Sequence, residues 1–187
     1  CHFHQDTCRE PEWGKAHCMI DHFVYLANTT GIKVGLTRTG QVPTRWLDQG
    51  AIGALPIFKA QTRRHAGFLE VLLANELNDK TNWRDLLRHR SEVHDLMALR
   101  KRLFDRYDLE IKAIDATLNV NTTRLEDECI TIQYPMQATP QKVVSLNPLK
   151  QPNIEGVLLG IRGQYLMFEQ GGLNLRKMSG HDLIVHY

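Results

Sequence analysis

The chain has 187 residues, 42% of them hydrophobic and 24% charged, with a formal net charge of +2 at pH 7. This length can form one medium domain or two small ones around a buried core, and the composition is that of a soluble globular protein. The net charge is too small to indicate a nucleic-acid partner by itself, so a basic surface would have to come from local clustering. The sequence has neither an apolar run approaching the roughly 18 residues of a membrane span nor a signal-peptide pattern. We therefore expect a cytoplasmic protein without a membrane partner.

Three of the four cysteines lie within the first 18 residues, together with several histidines. The potential metal ligands of this leader, residues 1–20, are Cys1, His2, His4, Cys8, His17 and Cys18. Zinc takes four such ligands in a tetrahedron, and a short polar segment needs a clip of this kind to fold. We expect the three cysteines to bind a structural zinc ion with His4, and His2 and His17 are alternative fourth ligands. Residues upstream of this sequence could instead complete the site, or the cysteines could be free or an oxidised pair.

Residues 22–45 predict a β-hairpin followed by a helix. The runs Phe23–Ala27 and Ile32–Leu36 are rich in strand-forming residues, and a cluster of turn residues separates them. A glycine then breaks the chain, and Pro43 opens a helix at its first turn, where the missing N–H of proline costs nothing. This helix carries Arg45.

A third strand and a second helix are predicted next, at residues 55–62 and 66–77. The apolar residues of this helix are spaced i, i+3 and i+4, which marks the side that faces the core. Glu70 lies one step round from this stripe, near its edge. The tryptophans Trp46 and Trp83 are interpreted as core residues rather than as surfaces on which nucleic-acid bases stack.

The second half of the chain changes character. Residues 91–116 have the pattern of one long amphipathic helix with a charged outer face, which we interpret as a connector. The polar segment 119–128 marks a boundary, and the short alternating runs that follow it predict a small antiparallel sheet or barrel. The predicted fold class is α+β, divided into the leader at 1–20, an α/β domain at 21–90, a helical connector at 91–118 and a β-rich domain at 119–187.

The hairpin and the two helices after it resemble the GIY-YIG nuclease superfamily, in the branch whose second motif reads Lys-Ile/Val-Gly. Tyr25 falls on the tyrosine of the first motif and Lys33 on the lysine of the second, while Arg45 falls on the helix arginine and Glu70 on the metal-binding glutamate. The likeness covers roughly residues 20–90 and implies a three-stranded antiparallel sheet with flanking helices. More closely, the chain is similar to an uncharacterised bacterial domain family that joins a zinc-ribbon-like N-terminus to such a core.

The resemblance implies a metal-dependent endonuclease that cleaves phosphodiester bonds in DNA or RNA. Tyr25 would orient or deprotonate the attacking water, Arg45 would bind the scissile phosphate, and Glu70 would hold Mg²⁺ or Mn²⁺. Lys33 stands where the name-giving motif has its second tyrosine. A lysine at that position can bind phosphate, but the proton-transfer role of the tyrosine is left unassigned.

Other readings of the same residues remain open. The side chains of the four residues that carry the resemblance are expected to converge on one open, positively lined cleft. The basic residues around this cleft are further phosphate-binding candidates, namely Arg38, Arg63 and Arg64. These residues are equally suited to a non-catalytic nucleic-acid-binding module that has a nuclease-like fold. A zinc-stabilised scaffold for protein interaction is the third alternative. The sequence leaves the oligomeric state open.

Overall fold

The computed structural model describes residues 2–77, 82–88, 90–140 and 143–186, so Cys1 lies outside the described residues. The α-helices are α1 (Pro11–Cys18), α2 (Thr44–Asp48), α3 (Arg63–Ala74), α4 (Trp83–Leu87), α5 (Leu96–Arg106) and α6 (Asp108–Leu118). The strands are β1 (His22–Asn28), β2 (Ile32–Arg38), β3 (Gly53–Ala60), β4 (Thr123–Arg124), β5 (Ile130–Thr131), β6 (Ser145–Leu146), β7 (Leu158–Arg162), β8 (Tyr165–Phe168) and β9 (Gly171–Asn174). Short 3₁₀ helices lie at His2–Gln5, Thr39–Gln41 and Leu175–Met178. Within the described ranges, no helix combines the length and the apolar character needed to cross a bilayer.

The first sheet is built on the predicted hairpin and the predicted third strand. Its order is β2-β1-β3-β4, with β5 also pairing with β3, and all of these pairs are antiparallel. The three long strands therefore form the expected antiparallel sheet. Two short strands from the region after residue 119, which was predicted to belong to the C-terminal β-rich part, extend this sheet instead. In the register of the hairpin, Tyr25 lies opposite Gly35 and Ala27 lies opposite Lys33. Because β2 is at the end of this order, its outer edge is available to other elements.

Side chains alternate between the two faces of β1, and each face contributes to a separate core. On one face, Val24 and Leu26 belong to the larger core, which α3 and α5 cover. Further buried members of this core include Leu55, Ile57, Leu69, Leu73 and Leu103. On the opposite face, Tyr25 and Ala27 pack with Trp46 of α2. Trp46 is fully buried, which confirms its interpretation as a core residue.

A buried polar network fixes the N-terminus of α3. The side chain of Thr62 caps the helix by accepting a hydrogen bond from the backbone N–H of His65 at 3.1 Å. The backbone N–H of Gln61 lies 3.4 Å from Nδ1 of His65, so Nε2 carries the proton and donates to the hydroxyl of Thr122 at 2.8 Å. That hydroxyl in turn donates to Asp115 of α6 at 2.7 Å. Burial lowers the pKa of His65, so the network holds α3 against α6 through a neutral ring.

The prediction of one long helix over residues 91–116 is wrong. Helix α5 begins only at Leu96, where Asp95 caps it by accepting from the N–H of Ala98 at 2.9 Å. It ends at Arg106, because Tyr107 has a non-helical backbone (φ −107°, ψ 18°) that separates α5 from α6. Tyr107 is itself buried, so the apolar stripe runs across the break without a change in period. Periodicity alone cannot detect such a one-residue interruption.

The second sheet contains the last four strands in the order β6-β9-β8-β7. The pairs β7–β8 and β8–β9 are antiparallel hairpins, whereas β6 and β9 are parallel. The turn between β7 and β8 places Gly163 at a φ of +59°, in the left-handed region that favours glycine. The predicted α+β class, with an antiparallel sheet, flanking helices and a β-rich C-terminal part, is confirmed.

The two sheets meet at the end of α2, through the buried side chain of Arg162 at the end of β7. Its Nε and Nη2 atoms donate to the carbonyl of Gly50 at 3.0 and 2.9 Å. Nη2 also donates to the carbonyl of Thr29 at 3.3 Å and to the hydroxyl of Ser91 at 2.8 Å. The guanidinium carbon lies 5.7 Å from the ring centroid of Tyr134. One residue of the second sheet therefore binds the first hairpin, the turn after α2 and the segment before α5.

Candidate phosphate-binding cleft

An open cleft of about 380 Å³ lies beside the edge strand β2. The residues that line it are Trp13, His17, Leu36, Thr37, Arg38, Gln41, Arg45, Arg63 and Glu70. They come from α1, β2, the following 3₁₀ helix, α2 and α3, so the fold assembles the site from separate parts of the chain. Among these lining residues there are three arginines and one carboxylate.

Each charged residue of the cleft is placed by a regular element. Arg38 is the last residue of β2, opposite His22 of β1, and Arg45 lies on α2 next to the buried Trp46. Arg63 is the first residue of α3, and Glu70 follows seven residues later, which is close to two helical turns. Arg63 and Glu70 therefore share one face of α3.

Arg64 and Lys33, two other predicted phosphate-binding residues, are not among the residues that line the cleft. Arg64 is about 100° round the helix from Arg63, and its guanidinium carbon lies 5.7 Å from the centroid of the Phe68 ring. Lys33 is half-buried on β2, opposite Ala27. It is four residues before Thr37, so their backbones are roughly 13 Å apart along the strand.

Tyr25 lies beneath the cleft instead of on its surface. Its side chain is fully buried, and its hydroxyl donates to Oε1 of Gln49 at 3.1 Å. Burial raises the pKa of Tyr25 and the charge of Glu70 acts in the same direction, whereas the neighbouring Arg45 opposes the shift. Tyr25 is thus a neutral phenol at neutral pH. Its charged neighbours Arg45 and Glu70 both line the cleft.

The arginines also act on His22, which is buried at the start of β1. Burial is the largest cause that lowers the pKa of His22, and the charges of Arg63 and Arg38 lower it further. Nδ1 of His22 lies 2.7 Å from the carbonyl of Ile20, so it donates there and the ring is neutral. A buried residue behind the cleft is thus subject to the same positive charges that line it.

Four residues in or next to the cleft were not predicted from the sequence, namely Trp13, Thr37, Gln41 and Gln49. Gln49 holds the Tyr25 hydroxyl, and the other three line the cleft. Trp13 and His17 are four residues apart on α1, which places them on the same helix face. The sequence therefore indicates that these two side chains are neighbours on a helix, but it does not indicate that this helix face lies beside the cleft.

The sequence profile of a family described as "Protein of unknown function (DUF2797)" matches residues 1–183. The chain belongs to the DUF2797 family. Its predicted membership of an uncharacterised domain family is therefore confirmed. No curated protein and no solved structure matches the chain. The nuclease-like and zinc-ribbon-like parts of the resemblance stay predictions for this DUF2797 chain.

The leader contains the residues proposed to bind zinc. The Sγ atom of Cys8 donates to the carbonyl of Glu10 at 3.3 Å, Cys18 is buried at the end of α1, and His4 is exposed. In the described part of the chain, no three His, Cys, Asp or Glu residues come together as a set of metal ligands. The proposed set includes Cys1, which lies outside that part. Zinc therefore stays a prediction, and no step of the function proposed below depends on it.

Metal analysis of protein purified without chelator decides the zinc prediction. We expect about one zinc ion per chain, and Cys8→Ser is expected to lower this content because a structural site needs all four ligands. Cys129→Ser is the matched control, since Cys129 is an exposed cysteine far along the chain from the leader. A metal-free protein that is soluble and stable would contradict the prediction.

Proposed function

We propose that the cleft of this DUF2797 chain binds the phosphodiester backbone of nucleic acid. The observation that carries the proposal is the arrangement of Arg38, Arg45 and Arg63, from three different elements, around one open cleft. A guanidinium is planar and always charged, and its forked N–H groups match the oxygens of a phosphate. Three arginines against one glutamate leave the cleft with an excess of positive charge, although the whole chain has a formal net charge of only +2.

The position of the cleft also suits a long, flexible anion. The cleft opens beside an edge strand and is bordered by helices. The sugar-phosphate backbone of a nucleic acid can therefore lie in it without entering the protein core. Binding through arginine–phosphate contacts releases counterions and must weaken as salt rises. For a single strand that contacts all three arginines, the slope of log K against log salt is expected to be about −2.

Arg63 and Arg64 provide a matched pair of variants. They are adjacent, both are exposed, and each loses one positive charge on substitution, but only Arg63 lines the cleft. We expect Arg63→Ala to weaken binding of a labelled single-stranded oligonucleotide about 10- to 150-fold, since a hydrogen bond to a charged group contributes roughly 1.5–3 kcal/mol. Arg64→Ala is expected to change the affinity by less than about twofold, because exposed charges outside a site contribute little.

The measurement is fluorescence anisotropy across a salt series, with folding of each variant checked by circular dichroism. Arg63→Ala should also make the salt dependence shallower, by about 0.7 in slope. Equal effects of the two variants would contradict the assignment of the cleft. An absence of binding at low salt would contradict nucleic-acid binding altogether and favour the protein-interaction scaffold.

Metal-dependent hydrolysis at the same cleft is a second candidate function. The observation that favours it is that Glu70 and Arg45 both act electrostatically on Tyr25, so three of the four proposed catalytic residues form one cluster. Mg²⁺ commonly binds through one or two carboxylates, waters and the phosphates of a substrate, and Glu70 could provide such a carboxylate. When bound, the ion would stabilise the charge that develops on the phosphate oxygens.

The state of Tyr25 is the reason that binding is proposed first. Its phenol is buried, its pKa is raised by that burial, and its hydroxyl donates to Gln49, and these features support binding more directly than hydrolysis. Adding Mg²⁺ or Mn²⁺ to the binding reactions and resolving the products on a gel separates the two functions. If the cleft is catalytic, the wild-type chain cleaves the oligonucleotide in the presence of metal and the Glu70→Gln variant does not. The variant must still bind the oligonucleotide with the wild-type affinity when a chelator is present. If intact oligonucleotide remains in both metals, the cleft is a binding site only.

A further inference from the structure

Trp13 is an exposed aromatic residue beside the arginines of the cleft. It lines the cleft together with Arg38, Arg45 and Arg63, and 51% of its surface is exposed. Trp13 also lines a second hollow, of about 490 Å³. The other residues that line this hollow are His2, Thr7, Cys8, Arg9 and Glu10. Trp13 therefore stands between the charged cleft and a second open space.

The indole of Trp13 is held as a rigid platform. The ring of His17 stacks on it at 4.3 Å between centroids with an interplanar angle of 11°, and Nδ1 of His17 donates to the Trp13 carbonyl at 2.8 Å. Next to it, a Cβ added to Gly14 would lie 2.9 Å from Cδ2 of Phe3, so α1 packs closely on the preceding 3₁₀ helix. His17 covers one face of the indole, and the 51% exposure of Trp13 leaves the residue accessible to a ligand.

The other two tryptophans of the chain have different surroundings. Trp46 is fully buried. Trp83 is half-buried, stacked on Tyr165 at 6.5 Å between centroids and covered by the guanidinium of Arg84 at 4.6 Å. The most exposed tryptophan of the chain is thus the one that borders the arginines.

We propose that the cleft accepts an unpaired nucleotide, whose base stacks on Trp13 while the adjacent phosphate is bound by the arginines. This proposal rests on the proposed function and adds the substrate class, single-stranded or locally unpaired nucleic acid. Aromatic side chains beside a positively charged groove stack with any base, because every base has a π-face. A base in a duplex is already stacked and paired, and it would have to leave the helix before it could reach Trp13.

The test measures the affinity of the whole chain for three labelled ligands of equal length. They are a single-stranded oligonucleotide, a duplex, and an abasic strand that has the same phosphates but no bases. The wild-type chain is expected to bind the single strand roughly 5- to 150-fold more tightly than the abasic strand, which is the range for one stacked base. The duplex is expected to bind more weakly than the single strand.

Trp13→Ala is expected to abolish the preference for bases while affinity for the abasic strand stays within about twofold. Trp13→Phe, which keeps a ring, is expected to retain part of the preference. Arg63→Ala is the complementary variant, and it should weaken binding of both strands by the same factor. Trp83→Phe is the control for a tryptophan away from the cleft, and it should leave the preference unchanged.

The outcomes separate the two proposals. Equal affinities of the wild-type chain for the base-bearing and abasic strands would overturn stacking and leave phosphate binding in place. Equal weakening of both strands by Trp13→Ala would make Trp13 a structural residue and would also overturn stacking. Failure of both strands to bind would overturn the proposed function, and the stacking site with it.

Discussion

Replacement of Arg162 by leucine is expected to lower the free energy of unfolding by about 2–6 kcal/mol, the cost of leaving two buried carbonyls without their hydrogen-bond donor. The guanidinium supplies hydrogen bonds to the carbonyls of Gly50 and Thr29 and to the hydroxyl of Ser91. Leucine fills part of the volume but leaves the two buried carbonyls, of Gly50 and Thr29, without this donor, at a cost of about 1–3 kcal/mol for each. Urea denaturation followed by circular dichroism measures the change.

Two further variants show whether the geometry of the guanidinium is responsible. Arg162→Lys keeps the positive charge but not the fork that reaches several acceptors, so we expect a smaller but clear loss of stability. Arg176→Leu removes the same kind of charge from an exposed position of the C-terminal part, and a change within about 0.5 kcal/mol is expected. A loss below about 1 kcal/mol for Arg162→Leu would show that the two sheets do not depend on this side chain.

The Arg162 contacts also connect the second sheet to the cleft. The cleft residues all lie within the first 70 residues, but α2, which carries Arg45 and is capped by Gln49, ends next to Gly50, the main acceptor of Arg162. A Cβ added to Gly163 would lie 3.0 Å from the carbonyl of Asp48, so the hairpin of the second sheet approaches the same turn closely. The C-terminal part thus contributes to the position of α2 without lining the cleft.

The elements around the cleft were predictable where a local pattern determines them. The hairpin followed from two apolar runs around a turn, and the core side of α3 followed from the spacing of its leucines. The helix predicted over residues 66–77 contains Glu70, whereas α3 begins earlier, at Arg63, and β2 continues past the predicted run Ile32–Leu36 to Arg38. Helical geometry also separates Arg63 from Arg64, because a rotation of about 100° per residue allows only one of two neighbours to face the cleft.

The remaining features depend on contacts between distant parts of the chain. Trp13 reaches the cleft because the fold brings α1 and β2 to the lining of the same cleft, and no local pattern encodes that proximity. In the sequence, Arg162 is a residue that flanks a predicted turn. Only the tertiary structure brings its side chain to Gly50, which lies 112 residues earlier in the chain. For Tyr25, the alternation in β1 predicts a face but not whether the hydroxyl meets solvent.

Replacement of Gly35 by alanine is expected to lower the free energy of unfolding by about 1–3 kcal/mol, the usual cost of overpacking a core. Gly35 lies opposite Tyr25, and a Cβ there would lie 2.7 Å from the tyrosine Oη and 2.8 Å from Cζ. The ring cannot easily move aside, because it is fully buried, packs edge-on against Trp46 and donates to Gln49. Displacing it would also shift α2 and Arg45, so weaker oligonucleotide binding should accompany the lost stability.

Gly31 offers the matched control, since a Cβ at that position of the hairpin turn would meet nothing within 4 Å. Gly31→Ala should leave stability within about 0.5 kcal/mol. A double-mutant cycle with Tyr25→Phe identifies the contact, because removing the hydroxyl removes the nearest clash and should make Gly35→Ala less costly. Equal stabilities of the Gly35→Ala and Gly31→Ala variants would mean that the tyrosine does not lie against this glycine. In that case the glycine of the Lys-Val-Gly motif would have no packing role, and the position of Tyr25 beneath the arginines would need another cause.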